Sequence, residues 1–210
     1  GVIIRGYTSS PGDTGRAVID TGANAVGALT GSVVFIENLI AVTTASSGSS
    51  NGITITSVHS YLGNCVSHGF RGNGFQISGG NCDVVDCEAY ACGAANAANA
   101  AGFVGASTAR WIRCRAHHNV GSNVSGWYLS GGTHMLAACL AAENGLHGVN
   151  VNDTDAGVQI LSSDFYANVS DGLHLRGGTS YFTTIFVESS NFVANGGWGI
   201  SKHSTAFSLL

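Results

Sequence analysis

Apolar and polar positions recur along this chain in repeats that are 22 to 27 residues long. Each repeat carries a small or apolar residue and, five places later, a second residue that is usually polar. The seven pairs are Leu39/Thr44, Cys65/Phe70, Cys87/Cys92, Cys114/Asn119, Cys139/Asn144, Ser163/Asn168 and Ser190/Asn195. Glycine and two alternating apolar positions follow several of these pairs, as in GFQI, GVNV and GLHL. A fixed period of this size with strand-like alternation inside it is typical of a β-solenoid.

Each repeat is interpreted as one coil of three short strands. In the strand after the glycine, Leu173 and Leu175 should point into the core, whereas His174 and Arg176 should point out. The second strand precedes the small residue of the pair, and the third strand starts there. The pattern predicts an all-β fold, a single-stranded right-handed parallel β-helix of about 7–8 coils. Because a solenoid spreads one core along its axis, residues 1–210 are expected to form a single domain.

Equivalent residues of successive coils should stack in columns. The predicted columns are an inward one of Ala89, Ala116, Ala141, Phe165 and Phe192, a turn ladder of Asn119, Asn144, Asn168 and Asn195, and a second turn ladder of Asn38, Asn64 and Asp86. Stacked carboxamides can bond to one another and to nearby backbone. The asparagine columns are therefore expected to hold the coils in register.

Four of the six cysteines occupy one position of successive repeats: Cys65, Cys87, Cys114 and Cys139. A disulfide or metal array is one interpretation, and an inward stack of small thiols is the other. Side chains on adjacent parallel strands point the same way, which is unfavourable for a disulfide, and no CxxC pair is present for zinc. Buried free cysteine behaves as a small hydrophobic residue. We therefore expect these four thiols to be reduced and buried.

Composition narrows the classes of partner. Charged residues make up 10% of the chain, the net charge is −4, and Lys202 is its one lysine. Nucleic-acid binding is not expected, because phosphate neutralisation needs clustered cations. No apolar stretch approaches the roughly 18 residues of a membrane span. A low content of charged residues makes a free monomer poorly soluble, so we expect a homo-oligomer or contacts with neighbouring subunits.

The chain opens directly in a strand, and it is expected to be an excerpt of a longer polypeptide.

At this point the sequence resembles the right-handed parallel β-helix proteins of the pectate-lyase-like superfamily. The resemblance covers about residues 31–203 and rests on the glycine strand, the small residue near 13 positions later and the asparagine five after that. The segment GYTSSPGDTGRAVID is similar to the early coil of phage and environmental-bacterial members. The superfamily includes lyases, hydrolases, epimerases, phage tailspikes and inert fibres, so the resemblance is specific for fold and not for function.

The resemblance implies that chemistry, where present, lies on the outward face of the strand after the glycine. The richest positions there lie in the last coils and form a candidate glycan-binding set: Asn150, Asn152, Asp171, His174 and Arg176. Weaker candidates beside them are His147, Asp153 and Asp155. Arginine could clamp a carboxylate, histidine could transfer a proton, and the aspartates could act as acids or calcium ligands. No cofactor or metal site is otherwise expected. An ordinary polar solenoid face is the competing interpretation.

A second motif, RWIRCRAHH, spans residues 110–118. Trp111 with Arg113 and Arg115 could form a sugar-stacking platform. A salt ladder is the simpler interpretation, because Arg113 and Arg115 should stack on Asp86 and Glu88 of the preceding coil. His117 falls in an outward column with Tyr90 and Tyr166. This column is partly apolar and suggests a contact surface.

Two functions remain open from the sequence. The first is a β-helical module of a virion or cell-surface structural protein, of the phage tailspike, fibre or decoration type, that binds glycan or builds a rod. The alternative is a lyase or hydrolase that acts on an acidic polysaccharide. The signature motifs of pectate lyases and polygalacturonases are missing, since there is no Asn-Thr-Asp, no Asp-Asp pair and no Arg-x-Lys. The first function is favoured, with a virion or extracellular location.

Overall fold

A computed structural model of the chain describes residues 3–7, 15–23, 29–31, 35–44, 46–95, 99–152, 157–176, 183–202 and 207–209. These residues form strands and turns. The strands are β1 (Ile3–Arg5), β2 (Ala17–Asp20), β3 (Leu29–Gly31), β4 (Phe35–Glu37), β5 (Leu39–Val42), β6 (Ile53–Ile55), β7 (Tyr61–Gly63), β8 (Val66–His68), β9 (Phe75–Ile77), β10 (Cys82–Val85), β11 (Glu88–Tyr90), β12 (Ala101–Gly105), β13 (Ala109–Ile112), β14 (Arg115–His117), β15 (Ser125–Leu129), β16 (Thr133–Ala137), β17 (Leu140–Ala142), β18 (Val149–Val151), β19 (Gly157–Leu161), β20 (Asp164–Tyr166), β21 (Leu173–Leu175), β22 (Thr183–Glu188), β23 (Asn191–Val193), β24 (Ile200–Lys202) and β25 (Phe207–Leu209). The described residues include no helix that could span a membrane.

Every third strand joins the same sheet, and the strands within each sheet are parallel. Sheet A contains nine strands from β1 to β25, sheet B contains eight from β2 to β23, and sheet C contains eight from β3 to β24. Sheet C holds the strands that follow the glycines, sheet A the second strand of each repeat and sheet B the third. The predicted parallel β-helix is thereby confirmed, and sheets of eight or nine strands agree roughly with the 7–8 coils predicted.

The core is a set of stacked columns along the helix axis. In sheet B, Ala89 pairs in register with Ala116, which pairs with Ala141, and the column continues as Phe165 and Phe192, as predicted. In sheet C, the rings of Phe75, Phe103 and Trp127 stack with centroid separations of 5.0 Å. Offset aromatic stacking adds to the free energy gained by burial. Each column thus buries its apolar side chains against those of the neighbouring coils.

The predicted asparagine ladder runs along the corner between sheets B and C. Asn119 donates through Nδ2 to Oδ1 of Asn144, Asn144 to Asn168, and Asn168 to Asn195, each at 2.9 Å. The same Nδ2 of Asn144 also donates to the carbonyl of Ala116 at 3.1 Å. Asn119, Asn144 and Asn168 are buried. The ladder therefore satisfies polar groups that water cannot reach.

The corner between sheets A and B turns on single residues in the left-handed region. Asn38, Asn64 and Asp86 have φ of 59°, 52° and 53°, and Arg113 takes the equivalent place with φ of 51°. Asparagine and aspartate tolerate this conformation best among residues with a side chain. Asn64 Nδ2 donates to Asn38 Oδ1 at 2.7 Å, which confirms the first step of the second ladder.

All six cysteines are free thiols with buried side chains. Their sulfurs donate to main-chain carbonyls, as Cys114 does to Val84 at 3.2 Å and Cys139 to Trp111 at 3.2 Å. The prediction of reduced, inward thiols for Cys65, Cys87, Cys114 and Cys139 is confirmed. Burial raises the pKa of Cys92 to about 12, which makes its thiolate unfavourable.

The predicted salt ladder is correct in one step and wrong in the next. Arg113 binds Asp86 through two bonds of 2.7 Å. Arg115 lies opposite Glu88 in register, yet the Glu88 carboxylate instead contacts His117 Nε2 at 2.8 Å. Trp111 is fully buried, so it cannot be a sugar-stacking platform. The His117 ring is already held parallel to that of Tyr90, with centroids 5.4 Å apart. It therefore loses less side-chain entropy on contacting Glu88 than the long Arg115 side chain would.

Candidate active site

The outward face of sheet C places two adjacent columns side by side. Tyr128, Asn150, His174 and Ser201 pair in register on β15, β18, β21 and β24. His147 and Asp171 lie just before the glycines that open β18 and β21. These glycines permit close coil contact, since a Cβ on Gly148 would lie 2.5 Å from the carbonyl oxygen of the next glycine, in the following coil. Close stacking brings polar side chains of three coils within hydrogen-bond distance.

Asp171 is the centre of this group. Its Oδ2 accepts a hydrogen bond from Ser201 Oγ at 2.5 Å and lies 3.0 Å from His174 Nδ1, while Oδ1 accepts the Trp198 backbone N–H at 2.8 Å. Burial acts to raise the pKa of Asp171, but the bonds from Ser201, Trp198 and His174 outweigh it and hold that pKa below its usual value. Asp171 is therefore an ionised carboxylate at neutral pH.

His174 is oriented by this carboxylate. Its Nδ1 lies 3.0 Å from Asp171 Oδ2 and 2.8 Å from Ser201 Oγ. Because the Ser201 hydroxyl donates its proton to Asp171, the Nδ1 of His174 must be the donor toward both oxygens. In the neutral ring, Nε2 then carries the lone pair. A carboxylate that fixes a histidine in this tautomer is the arrangement that produces a general base.

His147 has the opposite tautomer. Its Nδ1 lies 3.3 Å from Asp171 Oδ2 and accepts the backbone N–H of Asp171 at 3.2 Å; the N–H can only donate, so the proton of the neutral ring lies on Nε2. Burial, together with the nearby His174, lowers the pKa of His147 to about 4, and Asp171 opposes this only in part. The His147 and His174 rings stack in parallel, with centroids 4.2 Å apart. The stack thus joins a ring that carries a proton on Nε2 to one that carries the lone pair there.

A cleft of about 190 Å³ lies beside these columns and is lined by Asn99, Asn123, Leu146, Asn150 and Arg176. Arg176 is exposed, and no carboxylate of the described ranges forms an ion pair with its side chain. Asn150 is buried, and its Oδ1 has no hydrogen-bond partner among the described residues. Asn99 lies just before β12. The cleft therefore combines a cation with amide groups.

The structure brings together much of the predicted set. Asp171, His174 and the weaker candidate His147 form one cluster, whereas Asn152 follows β18 and donates to the Tyr128 hydroxyl at 2.6 Å. The other two weaker candidates, Asp153 and Asp155, lie outside the described residues. The predicted set did not include Ser201 or Trp198. Ser201 could have been found from its register with His174 on the repeat, but the backbone bond from Trp198 has no sequence signal.

The cluster also has to be tested against a metal ion. One ligand atom from each of His147, Asp171 and His174 lies within 4.8 Å of the others. The two imidazole planes, however, are only 4° from parallel and stacked, so their in-plane lone pairs cannot converge on one ion. Calcium needs six to eight oxygen ligands, and this cluster contributes one carboxylate. The geometry fits proton transfer better than metal binding, and the calcium prediction for the aspartates remains a prediction.

A larger groove of about 440 Å³ lies at the corner between sheets C and A, lined by residues that include Tyr61, Asp83 and Arg110. Arg110 there binds Asp83 through two bonds of 2.6 Å, so its charge is already paired. The sheet C face is the better candidate, because it offers an oriented imidazole and an arginine without such a pair.

Comparison with known proteins identifies the fold. No protein-family model matches the chain, and no curated protein sequence matches it significantly. Among solved structures, the pectate lyase Pel9A aligns with a TM-score of 0.68 and 18% identity over 93% of this chain and 60% of its own. The periplasmic alginate epimerase AlgG aligns with a TM-score of 0.56 and 10% identity over 86% of this chain and 59% of its own. The chain thus spans about three fifths of these neighbours, and at such identities the likeness shows that it shares their parallel β-helix fold.

Proposed function

We propose that this chain acts on an acidic polysaccharide at the outward face of sheet C. The reaction is proton abstraction from the carbon next to a uronate carboxylate, leading to β-elimination or epimerisation. The observation that supports it most is the Asp171–His174–Ser201 network, which leaves the lone pair of the neutral imidazole on Nε2. The fold-level likeness to a pectate lyase and an alginate epimerase agrees with this class, since pectate and alginate are polymers of uronic acids.

The proposed step begins with His174. Its Nε2 takes the proton, the carbon–hydrogen electron pair moves toward the carboxylate, and an imidazolium forms next to ionised Asp171, which stabilises the new charge. Arg176, two residues further along the same face, binds the substrate carboxylate on which negative charge accumulates. The electron pair then either expels the glycosidic oxygen at the neighbouring carbon, and that oxygen takes up a proton from the His174 imidazolium or from water, or the carbon takes a proton from water on the opposite face of the sugar and His174 releases its own proton to solvent.

Hydrolysis is less well supported by the same geometry. Glycoside hydrolysis in most families uses two carboxyl groups about 5–10 Å apart, one as acid and one as base or nucleophile. Within the part of the chain that the structure describes, the His147–His174 cluster contains one carboxylate, Asp171. Asp171 is also held ionised, so it is a poor general acid. Proton abstraction requires only the groups that are present.

The test is deuterium incorporation. The chain is incubated in D₂O with pectate, alginate or neutral dextran, and NMR follows exchange at the carbon next to the carboxylate. Epimerisation should place deuterium on this carbon, whereas elimination should remove its hydrogen and leave an unsaturated uronate; neither change is expected in dextran. Ultraviolet absorbance of an unsaturated uronate then separates elimination from epimerisation.

Variants locate the reaction. His174→Ala should abolish the reaction, and Arg176→Gln should lower kcat as well as raise KM, because the guanidinium binds the carboxylate more strongly as negative charge accumulates on it. Arg115→Gln, which removes an exposed arginine from sheet B, is the matched control and should leave the rate unchanged. A reaction that survives both His174→Ala and Arg176→Gln would refute the assignment.

A second candidate function is a glycan-binding or rod-forming module at a virion or cell surface. It is favoured by the apolar outward side of sheet B near the end of the described chain, where Tyr166 and Val193 are 40% and 58% exposed. Such a face would be covered by another subunit in an assembly. Sedimentation of the chain should then show an oligomer that Val193→Asp dissociates. A monomer without exchange activity that binds acidic polysaccharide would favour a binding module alone.

A further inference from the structure

Two adjacent histidines on the outward side of sheet B, His117 and His118, form a row of four polar side chains with Glu88 and Glu143. His117 Nδ1 lies 2.9 Å from His118 Nδ1, His117 Nε2 lies 2.8 Å from Glu88 Oε1, and His118 Nε2 lies 2.7 Å from Glu143 Oε2. Neighbouring residues of a strand point to opposite faces. His118, however, lies at the corner after β14 with φ of 52°, and this left-handed turn brings its ring back toward that of His117. The carboxylates come from the preceding and following coils.

The number of protons that these four side chains share is unusual. An ionised carboxylate can only accept a hydrogen bond, so the Nε2 of each histidine must carry a proton. In two neutral rings, each Nδ1 would then present a lone pair, and two lone pairs would meet at 2.9 Å. Such a contact is repulsive unless a positive centre lies between the nitrogens. That centre is either one shared proton or a metal ion.

The surroundings match those of a metal site. Histidines that bind metals almost always donate their other ring N–H to a carboxylate or carbonyl, which fixes the ring and makes the ligand more basic. Here Glu88 and Glu143 provide this support for both rings. The His117 ring is further held by its stack on Tyr90, with centroids 5.4 Å apart. The pair is reachable from solvent, since the His118 side chain is 60% exposed.

The separation of the two nitrogens selects the kind of ion. With metal–nitrogen bonds of about 2.0–2.1 Å, nitrogens 2.9 Å apart subtend an angle of about 90° at the metal. This is the angle between neighbouring ligands in square-planar or tetragonal sites, which copper(II) and nickel(II) adopt, and it is narrower than the tetrahedral angle that zinc prefers. The two rings are nearly perpendicular, at 87°, so they do not collide when both face one ion.

We propose that His117 and His118 bind a divalent copper or nickel ion through their Nδ1 atoms, with Glu88 and Glu143 orienting the rings. Water molecules or an anion from solution complete the coordination. The site lies on sheet B and does not depend on the function proposed for sheet C. It also differs from the His147–His174 pair, whose rings are stacked in parallel.

The experiment is titration of the tag-free chain with Cu²⁺ and separately with Ni²⁺, followed by calorimetry, with electron paramagnetic resonance of the copper form. We expect one tight site per chain with two nitrogen ligands in the copper spectrum. His117→Ala and His118→Ala should each abolish this site. Glu143→Gln should keep it and weaken the affinity by about 10- to 100-fold, because the ring loses its supporting carboxylate.

Two matched control variants distinguish this site from the binding of copper or nickel by other histidines of the chain. His59→Asn removes an exposed single histidine, and His147→Gln removes a ring of the other cluster; both should bind copper like the original chain. Circular dichroism of each variant establishes that it is folded. If the folded His117→Ala, His118→Ala double variant binds either ion as tightly as the original chain, or if only His147→Gln loses binding, the proposal is overturned. Absence of a tight site in the original chain, which would leave a shared proton between the rings, overturns it as well.

Discussion

Replacement of Asn144 by alanine tests whether the asparagine ladder holds the coils together. The Oδ1 of Asn144 accepts the Asn119 backbone N–H at 3.4 Å and the Asn119 Nδ2 at 2.9 Å. Its Nδ2 donates to the carbonyl of Ala116 at 3.1 Å and to Asn168 Oδ1 at 2.9 Å. Alanine would leave the buried N–H of Asn119 and the Ala116 carbonyl without these partners, whereas Asn119 Nδ2 would keep the Ala89 carbonyl at 3.2 Å.

Each buried polar group that loses its partner costs about 1–3 kcal/mol, so the loss of two partners in Asn144→Ala should lower the free energy of unfolding by about 2–6 kcal/mol. This is a large fraction of the roughly 5–15 kcal/mol that stabilises an average domain. Urea denaturation followed by circular dichroism measures the change. The matched control is Asn191→Ala, whose exposed side chain bonds Asp164 at 2.7 Å and should cost less than about 0.5 kcal/mol. Equal denaturation midpoints for the two variants would refute the role of the ladder.

Three further predictions concern the core, the buried histidine and the thiols. Ala116→Leu, at a fully buried position between Ala89 and Ala141, should destabilise the folded chain by about 1–3 kcal/mol through overpacking. This loss should exceed that of Arg113→Ala at the exposed salt ladder. The reverse order of urea midpoints would contradict the orientation of sheet B. Burial lowers the pKa of His134 from 6.5 to about 4, so the unfolded chain binds more protons than the folded one between these values, and His134 should contribute a loss of about 3 kcal/mol of stability as pH is lowered from 6.5 to 4, in addition to the loss from His147. His134→Gln should flatten that part of a melting-temperature profile, and an unchanged slope would show that other groups dominate. All six cysteines are buried and free, so a thiol reagent should modify none in the native chain and six in urea, as counted by mass spectrometry; rapid native labelling would contradict the inward thiol column.

The period of the sequence was enough to predict the architecture, because a solenoid repeats one local solution. Each coil contacts mainly its neighbours, so residues at equivalent places of the repeat must stack. The inward column of Ala89, Ala116 and Ala141, the reduced thiols and the ladder through Asn144 all follow from this translation along the axis. Small, apolar and amide side chains have few alternative partners in such a stack, and their contacts were therefore predictable.

The outward side chains were decided by the tertiary structure. Glu88 has both Arg115 and His117 within reach, and it contacts His117 because Tyr90 already holds that ring. Asp171 joins groups from three coils, including a backbone N–H for which the sequence has no marker.

His117 and His118 face each other only because a left-handed corner reverses the usual alternation of strand residues. The repeat determined which residues share a coil face. Long polar side chains have several rotamers and several acceptors of similar energy, so their pairing, and with it the candidate chemistry, was fixed only when neighbouring coils came together.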